Sequence, residues 1–302
     1  NTQDENLGFM EDIRALLDKY PGSVALGEIS SEDSLKTMAE YTQGDKRLHM
    51  GYSFDLLTED FTAGYIKQVV QSLEDRVSDG WPCWSISNHD VQRVATRWGK
   101  ASGSENTPDL AKMLFALISS LRGSVCSYQG EELGLTEADI AYEDLQDPYG
   151  ITFWPQFKGR DGCRTPHPWQ HDLNNAGFST NKPWLPVPVE HHGKAVDIQD
   201  KDTNSALNSY RHFSQWRKQF AALRYGDIEF INTPEPILAF TRKYEGQTMV
   251  VYFNLSAEPQ SVELAEYTGA DVKAITDHNL TSGSVEGNQL LMPAFSCYYA
   301  HL

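Results

Sequence analysis

The 302-residue chain carries 25 Lys and Arg against 42 Asp and Glu, which gives a formal net charge of −17. That charge excludes a basic surface for nucleic acid and suits a neutral ligand. With 40% hydrophobic and 22% charged residues, the composition is typical of a soluble globular protein. No apolar run reaches the roughly 18 residues of a membrane span, and four cysteines without CxxC spacing predict free thiols in the cytoplasm, not a zinc site.

Helices and strands are predicted to alternate over the first 130 residues. A polar start leads into an amphipathic helix whose inward face is predicted to hold Leu7, Met10, Ile13, Leu16 and Leu17. Strands are predicted at 23–30, 48–57, 82–87 and 124–130, and helices at 32–43, 63–77, 108–122 and 204–224. This alternation is typical of parallel strands joined by crossover helices. Residues 1–225 are therefore predicted to form an α/β fold, the second half of a (β/α)8 TIM-type barrel.

Two further regions have a different character. Residues 131–203 form a long segment rich in Gly, Pro, His and Trp, and long loops that follow barrel strands commonly build active sites. Residues 226–302 are predicted to form an antiparallel β-sheet C-terminal domain, because short strands alternate with turn residues. The strands of this domain are predicted at 237–244, 248–256, 260–267, 273–278 and 289–302.

Two apolar strands of the barrel end in carboxylates. Glu28 ends the stretch "VALGEI", and the stretch "WSISNHD" ends in Asn88, His89 and Asp90. Carboxyl ends of barrel strands converge above the barrel mouth. Paired carboxylates acting on a bond between them are typical of glycoside hydrolysis. Capping of a helix by Glu28 and of a turn by Asp90 is an equally good alternative on spacing alone.

Four motifs occur together in this order: "ALGEIS", "SISNHD", "YQGEELGL" and "GRDGCRTPHPW". Together they resemble the α-amylase family of glycoside hydrolases, and most of all its bacterial α-glucosidases and oligo-1,6-glucosidases. The resemblance covers essentially the whole chain. It implies a retaining α-glucosidase that acts on terminal α-linked glucose in short oligosaccharides such as maltose or sucrose, with hydrolysis or transglucosylation as the outcome.

The resemblance implies a role for each matched residue at the strand ends. Glu28 matches the general acid/base, which protonates the glycosidic oxygen and later activates water. Asp90 matches the carboxylate that holds sugar hydroxyls and stabilises the oxocarbenium-like transition state. His89 matches a histidine that hydrogen-bonds the same sugar, and we expect Asn88 to brace the turn.

The resemblance also implies roles outside the strand ends. Arg160 matches an arginine at the non-reducing end of the bound glucose, and its alternative is a structural ion pair with Asp161. Phe54 stands where a ring would stack on a sugar face, with a place in the core as the alternative. Glu131 and Glu132 are interpreted as structural hydrogen-bond acceptors.

Relatives in this family carry a nucleophilic Asp in a "GFRxD" motif, which this sequence lacks. We therefore interpret the chain as the carboxyl-terminal part of an α-glucosidase, with the N-terminal half of the same barrel as its partner. No cofactor or metal is expected within the chain, and a calcium loop, if present, would lie upstream. The alternatives are a transglucosylase or sucrose-cleaving relative, and an inactive relative that serves as a binding or transporter-associated subunit. Intact Glu28, His89 and Asp90 argue against the inactive relative.

Overall fold

The computed structural model describes residues 3, 5–76, 80–104, 107–264 and 272–302. Val77, at the end of a predicted helix, and residues 265–267, at the end of a predicted strand, lie outside them. The barrel region contains the helices α1 Glu5–Leu17, α2 Ser34–Thr42, α3 Ala63–Arg76, α4 Val94–Ala101 and α5 Pro108–Ser120. Its strands are β1 Leu26–Ile29, β2 Met50–Ser53, β3 Cys83–Trp84 and β4 Ser124–Val125. In the described part of the chain, no helix is both long and apolar enough to cross a bilayer.

The four barrel strands form two parallel pairs. Strand β1 pairs with β2, and Glu28 lies opposite Tyr52. Strand β3 pairs with β4, and the two pairs meet at a parallel bridge between Gly51 and Pro82. Because proline has no N–H, Pro82 cannot extend the ladder between the pairs. Because both pairs and the bridge between them are parallel, the carboxyl ends of all four strands lie along one edge.

Apolar periodicity predicted the core of the barrel region unevenly. On α3, Ile66, Val69, Val70 and Leu73 are buried, as predicted. None of the residues of α1 is buried, and the predicted inward face is wrong for Leu16, whose exposed fraction is 54%. Leu7 and Met10 do pack against the core. An amphipathic pattern thus predicts that a helix forms, but it does not predict which part of the protein covers the apolar face.

The long segment contains short helices, and a single predicted helix is two. The helices α6 Pro148–Phe153, α7 Val189–His192 and α8 Val196–Gln199 lie within it. The helix predicted at 204–224 is divided into α9 Ala206–Arg217 and α10 Ala221–Tyr225. At this break the Ala222 backbone N–H donates to Gln247 Oε1 at 2.8 Å, so that a tertiary contact replaces a helical one.

The C-terminal strands form two antiparallel sheets. A five-stranded sheet has the order β5-β6-β7-β12-β9, and a three-stranded sheet has the order β10-β11-β8. Two of these strands were not predicted, and the stretch 289–302 contains two strands separated by Phe295, whose φ is 46°. The strands are β5 Asp227–Ile231, β6 Ile237–Tyr244, β7 Gln247–Asn254, β8 Gln260–Glu263, β9 Lys273–Ile275, β10 Ser284–Glu286, β11 Gln289–Met292 and β12 Cys297–His301.

A buried arginine connects the five-stranded sheet to the barrel region. Arg242 of β6 has an exposed fraction of 0%. Its guanidinium donates to the carbonyl oxygens of Ser120 at 2.6 Å, Leu223 at 3.2 Å and Gly226 at 2.7 Å. These carbonyls lie at the ends of α5 and α10, where helical acceptors have no partner within their own helix.

The outer strands of the barrel region have open edges. Among the described residues, β1 pairs with β2 and β4 with β3. Val24, which precedes β1, and Leu26, the first residue of β1, are 62% and 41% exposed. Open strand edges pair with other chains. We expect the 302-residue chain produced alone to aggregate, as measured by size-exclusion chromatography. Lys at positions 24 and 26 should reduce this aggregation, and a stable monomer without those substitutions would contradict the expectation.

Candidate active site

Glu28 extends from the exposed end of β1 into a polar neighbourhood. The Tyr52 side chain opposite it on β2 interacts with both Glu28 and Asn88. Burial raises the pKa of Tyr52, so its hydroxyl stays protonated at neutral pH. A protonated phenol can donate to a carboxylate. The Glu28 carboxylate is therefore supported from the strand beside it.

Asn88 connects the ends of the two strand pairs. Its side chain is buried, and its Nδ2 donates to Glu28 Oε1 at 3.2 Å. Its Oδ1 accepts from the Asp90 backbone N–H at 2.9 Å, which closes the turn after β3 as expected from the sequence. The contact with Glu28 was not anticipated, because it crosses from one strand pair to the other.

Glu28, His89 and Asp90 come together at this edge of the sheet. One nitrogen or oxygen atom from each of the three lies within 4.8 Å of the others. His89 Nε2 is 3.6 Å from Asp90 Oδ1, and the exposed fractions of the two side chains are 53% and 30%. The three groups therefore face solvent together, within reach of a single small molecule.

Arg160 reaches this cluster from the long segment. Its Nη1 donates to Asp90 Oδ1 at 2.8 Å, and its Nε donates to Asp147 Oδ2 at 2.9 Å. The alternative of an ion pair between Arg160 and Asp161 is wrong. The buried Asp161 side chain accepts instead from the backbone N–H groups of Gln146 at 2.6 Å and Asp147 at 2.8 Å, so it organises the loop.

A second arginine, Arg164, was missed by the sequence analysis. Its Nη2 donates to Asp90 Oδ1 at 3.1 Å, and its Nε donates to the His89 carbonyl oxygen at 2.7 Å. Arg164 lies in the same motif as Arg160, four positions later, and that proximity was the available signal. Two guanidinium groups thus converge on one oxygen of Asp90.

Phe54 follows β2 and is partly buried. It packs against an apolar cluster that contains Tyr52, Leu57 and Cys83. The Phe54 ring is therefore held by packing against this cluster, and its stacking on a sugar remains a prediction.

Glu131 and Glu132 act as acceptors within the protein, in agreement with their interpretation from the sequence. Glu131 accepts from Ser127 Oγ at 2.8 Å, and burial raises its pKa to about 7. Glu132 accepts from the Gly130 backbone N–H at 2.9 Å, and its other oxygen lies 2.6 Å from His167 Nε2.

Two groups of side chains in the described ranges have donor atoms close enough to share a cation. The first is the cluster of Glu28, His89 and Asp90, and the second consists of His171, Asp172 and Asp197. In the first group the two arginines on Asp90 oppose a metal ion by charge repulsion. In the second, His171 Nδ1 lies 2.8 Å from Asp197 Oδ2, an ordinary surface ion pair.

A cavity with mixed polar and apolar walls lies beside Asp90. Its volume is about 850 Å³, and Asp90, Gln92, Glu137, Phe157 and Arg160 contribute to its walls. The cavity adjoins the strand-end cluster at Asp90, and neither Glu28 nor His89 lines it.

The sequence profile described as "Alpha amylase, catalytic domain" matches residues 1–226. The chain belongs to the α-amylase family. The profile described as "Maltogenic Amylase, C-terminal domain" matches residues 228–298. These matches confirm the resemblance and the barrel fold with an antiparallel C-terminal sheet.

Among curated proteins of the α-amylase family, a probable alpha-glucosidase of Rhizobium meliloti (strain 1021) is 41% identical over 99% of this chain and 53% of its own length. The oligo-1,6-glucosidase of Parageobacillus thermoglucosidasius is 30% identical over 62% of this chain and 36% of its own length. The chain spans about half the length of the curated relatives it matches.

Among solved structures, the alpha-glucosyl transfer enzyme XgtA superposes with a TM-score of 0.93 at 52% identity, covering 100% of this chain and 55% of its own. The trehalulose synthase MutB from Pseudomonas mesoacidophila MX-45 has a TM-score of 0.81 at 22% identity over 99% of this chain and 59% of its own, and shows the same fold.

Proposed function

We propose that the full-length protein containing this chain is a retaining α-glucosidase that removes terminal α-linked glucose from short oligosaccharides. The observation that carries the proposal is the convergence of Glu28, His89 and Asp90 within 4.8 Å of one another at the strand ends. Two carboxylates and an imidazole at one solvent-facing point suit a ligand that offers hydroxyl groups and an acid-labile bond.

Glu28 is proposed as the general acid/base. In the first step it protonates the glycosidic oxygen as the bond to the anomeric carbon breaks, and in the second it takes a proton from the attacking water. Its exposed position allows this proton to exchange with solvent. The Asn88 contact uses only Oε1 of Glu28.

Asp90, His89 and Arg160 are proposed to hold the sugar. In the described part of the chain, the side-chain contacts of Asp90 involve Oδ1, which leaves Oδ2 for sugar hydroxyls. Hydrogen bonds to a carboxylate that strengthen as the ring flattens raise kcat, because they are strongest in the transition state.

The partner proposed for this chain is the N-terminal half of the same barrel. The open edges of β1 and β4 and the exposed Val24 and Leu26 support this proposal. That half would also supply the nucleophilic Asp of a retaining mechanism. A reducing compartment such as the cytoplasm is proposed, and the free state of all four cysteines is compatible with it.

Transfer to a sugar acceptor is the second candidate outcome, and the similarity to XgtA, described as an alpha-glucosyl transfer enzyme, favours it. Hydrolysis and transfer share the first step and differ in the acceptor, which is water or a sugar hydroxyl. The cavity of about 850 Å³ beside Asp90 offers space for an acceptor.

The test is product analysis with the purified full-length protein and maltose, isomaltose or sucrose. We expect the newly released glucose to appear first as the α-anomer in the proton NMR spectrum, with oligosaccharide products at high substrate concentration. First appearance of the β-anomer would contradict retention. Binding of these sugars without turnover would favour the inactive relative.

A further inference from the structure

Asp147 is a buried carboxylate that contacts the candidate site through Arg160. Its side chain has an exposed fraction of 0%. Its Oδ2 accepts from the Arg160 backbone N–H at 2.8 Å and from Arg160 Nε at 2.9 Å, and its Oδ1 accepts from Arg160 Nη2 at 3.1 Å. A buried, two-point contact of this kind fixes the plane of a guanidinium group.

The local sequence is arranged to allow this contact. Gly159 has a φ of +77°, and a Cβ added there would lie 3.0 Å from Asp147 Oδ2 and 2.8 Å from Gly150 Cα. Any larger residue at position 159 would therefore push apart the two loop segments that contain Gly150 and Gly159. Asp161 fixes the other side, because its carboxylate accepts from the Asp147 backbone N–H at 2.8 Å.

The remaining donors of Arg160 point toward the site. With Nε and Nη2 bonded to Asp147, Nη1 donates to Asp90 Oδ1 at 2.8 Å. The Tyr149 ring lies against the guanidinium, with the ring centroid 5.2 Å from Cζ. Arg160 thus has one defined orientation before any ligand arrives, which is the condition for strong binding at low entropic cost.

We propose that Asp147 is a positioning residue for sugar recognition, which acts by holding Arg160 in the orientation that reaches Asp90 and the bound glucose. The proposal rests on the proposed function. Asp147 itself does not touch the sugar. Its hydrogen bonds with Arg160 lower the pKa of Asp147 to about 2, so the pair stays charged over the working pH range of most enzymes.

The test combines Asp147→Asn with a set of monodeoxy p-nitrophenyl α-glucosides in the full-length protein. The Arg160→Ala variant is measured first on every substrate. The hydroxyl that Arg160 contacts is the one whose removal from the substrate makes the kcat/KM values of the variant and the unsubstituted protein equal. We expect Asp147→Asn to lower kcat/KM on the parent glucoside by about 10- to 100-fold, the range for a lost hydrogen bond to a charged group. The loss should vanish on the same deoxy substrate that abolishes the Arg160→Ala effect.

Asp144→Asn is the matched control, because it removes a partly exposed carboxylate that pairs with Lys182 on the same segment. We expect that variant to keep the parent kcat/KM within about twofold, as for other surface ion pairs. An equal loss for Asp147→Asn on every deoxy substrate would indicate a general structural role and overturn the proposal.

A crystal structure of the Asp147→Asn variant tests the proposal without activity. We expect Arg160 Nη1 to leave Asp90 Oδ1, and an unmoved guanidinium would overturn the positioning role. If the unsubstituted protein turns over no α-glucoside, the proposed function fails, and this structural readout still decides whether Asp147 orients Arg160.

Discussion

Replacing Glu28 with Gln in the full-length protein is expected to lower kcat on maltose by at least about 10²–10⁴-fold, the contribution of general acid–base catalysis alone. A glutamine amide cannot donate a proton to the departing sugar oxygen. It can still accept the Asn88 hydrogen bond through its carbonyl oxygen, so the strand ends should keep their geometry. Steady-state kinetics on maltose measure the effect.

A substrate with a good leaving group distinguishes the loss of the acid function from misfolding of the Glu28→Gln variant. An aryl α-glucoside needs less protonation, so the Glu28→Gln variant should lose less in the glucosylation step on that substrate. Added azide should restore its second step, because this anion attacks the anomeric carbon without a general base. Equal losses on both substrates, with glucosylation measured directly in a single turnover, would count against the acid/base role. Glu40→Gln on α2, an exposed ion-pair partner of Lys36, serves as the matched control and should keep full activity.

Substituting Arg242 with Met is expected to destabilise the protein by about 2 kcal/mol or more, because buried acceptors left without a donor cost about 1–3 kcal/mol each. The acceptors left without a donor are the carbonyls of Ser120 and Gly226, because the Leu223 carbonyl also accepts from Arg217 Nη2 at 3.1 Å. Burial lowers the pKa of Arg242 to about 9, so removing its charge offsets a part of this loss. The midpoint of urea unfolding measures the change.

The neighbouring Lys243→Met variant is the control for this experiment. Lys243 lies on the same strand, but it is exposed and pairs with Glu229 at the surface. Surface pairs contribute about 0–1 kcal/mol, so its unfolding midpoint should remain close to that of the unsubstituted protein. Matching midpoints for the two variants would show that the Arg242 contacts do not contribute to stability.

Parts of the fold that depend on local pattern could be predicted from the sequence. Strand β6 Ile237–Tyr244 has the predicted bounds, because an apolar run ends in clear turn residues. Helix α4 was not predicted, since Arg93 supplies no side-chain cap and Arg97 lies buried inside the helix. Arg97 is buried because it donates to the carbonyls of Thr58 and Ile86, contacts that no local pattern reveals.

The candidate site divides in the same way. Glu28 and Asp90 became candidates because each follows a predicted apolar strand, a feature visible in a few consecutive residues, and the family resemblance supplied their expected roles. Arg164 meets Asp90 from 74 residues away, and Asp147 meets Arg160 from 13 residues away. These contacts depend on the path of the loop through space, which neither spacing nor composition determines. The catalytic and binding roles remain predictions for the experiments above.

The single bridge between Gly51 and Pro82 affects the distance between Glu28 and Asp90. Glu28 belongs to one strand pair and Asp90 follows the other, so no continuous ladder spans the gap between them. The Asn88 side chain provides a second link at the rim. In the closed barrel that the proposed N-terminal half would complete, the width of the gap would also depend on the strands of that half. A substitution that loosens a distant strand should therefore widen this gap and slow the proposed chemistry, although none of the residues proposed to touch the sugar is itself substituted.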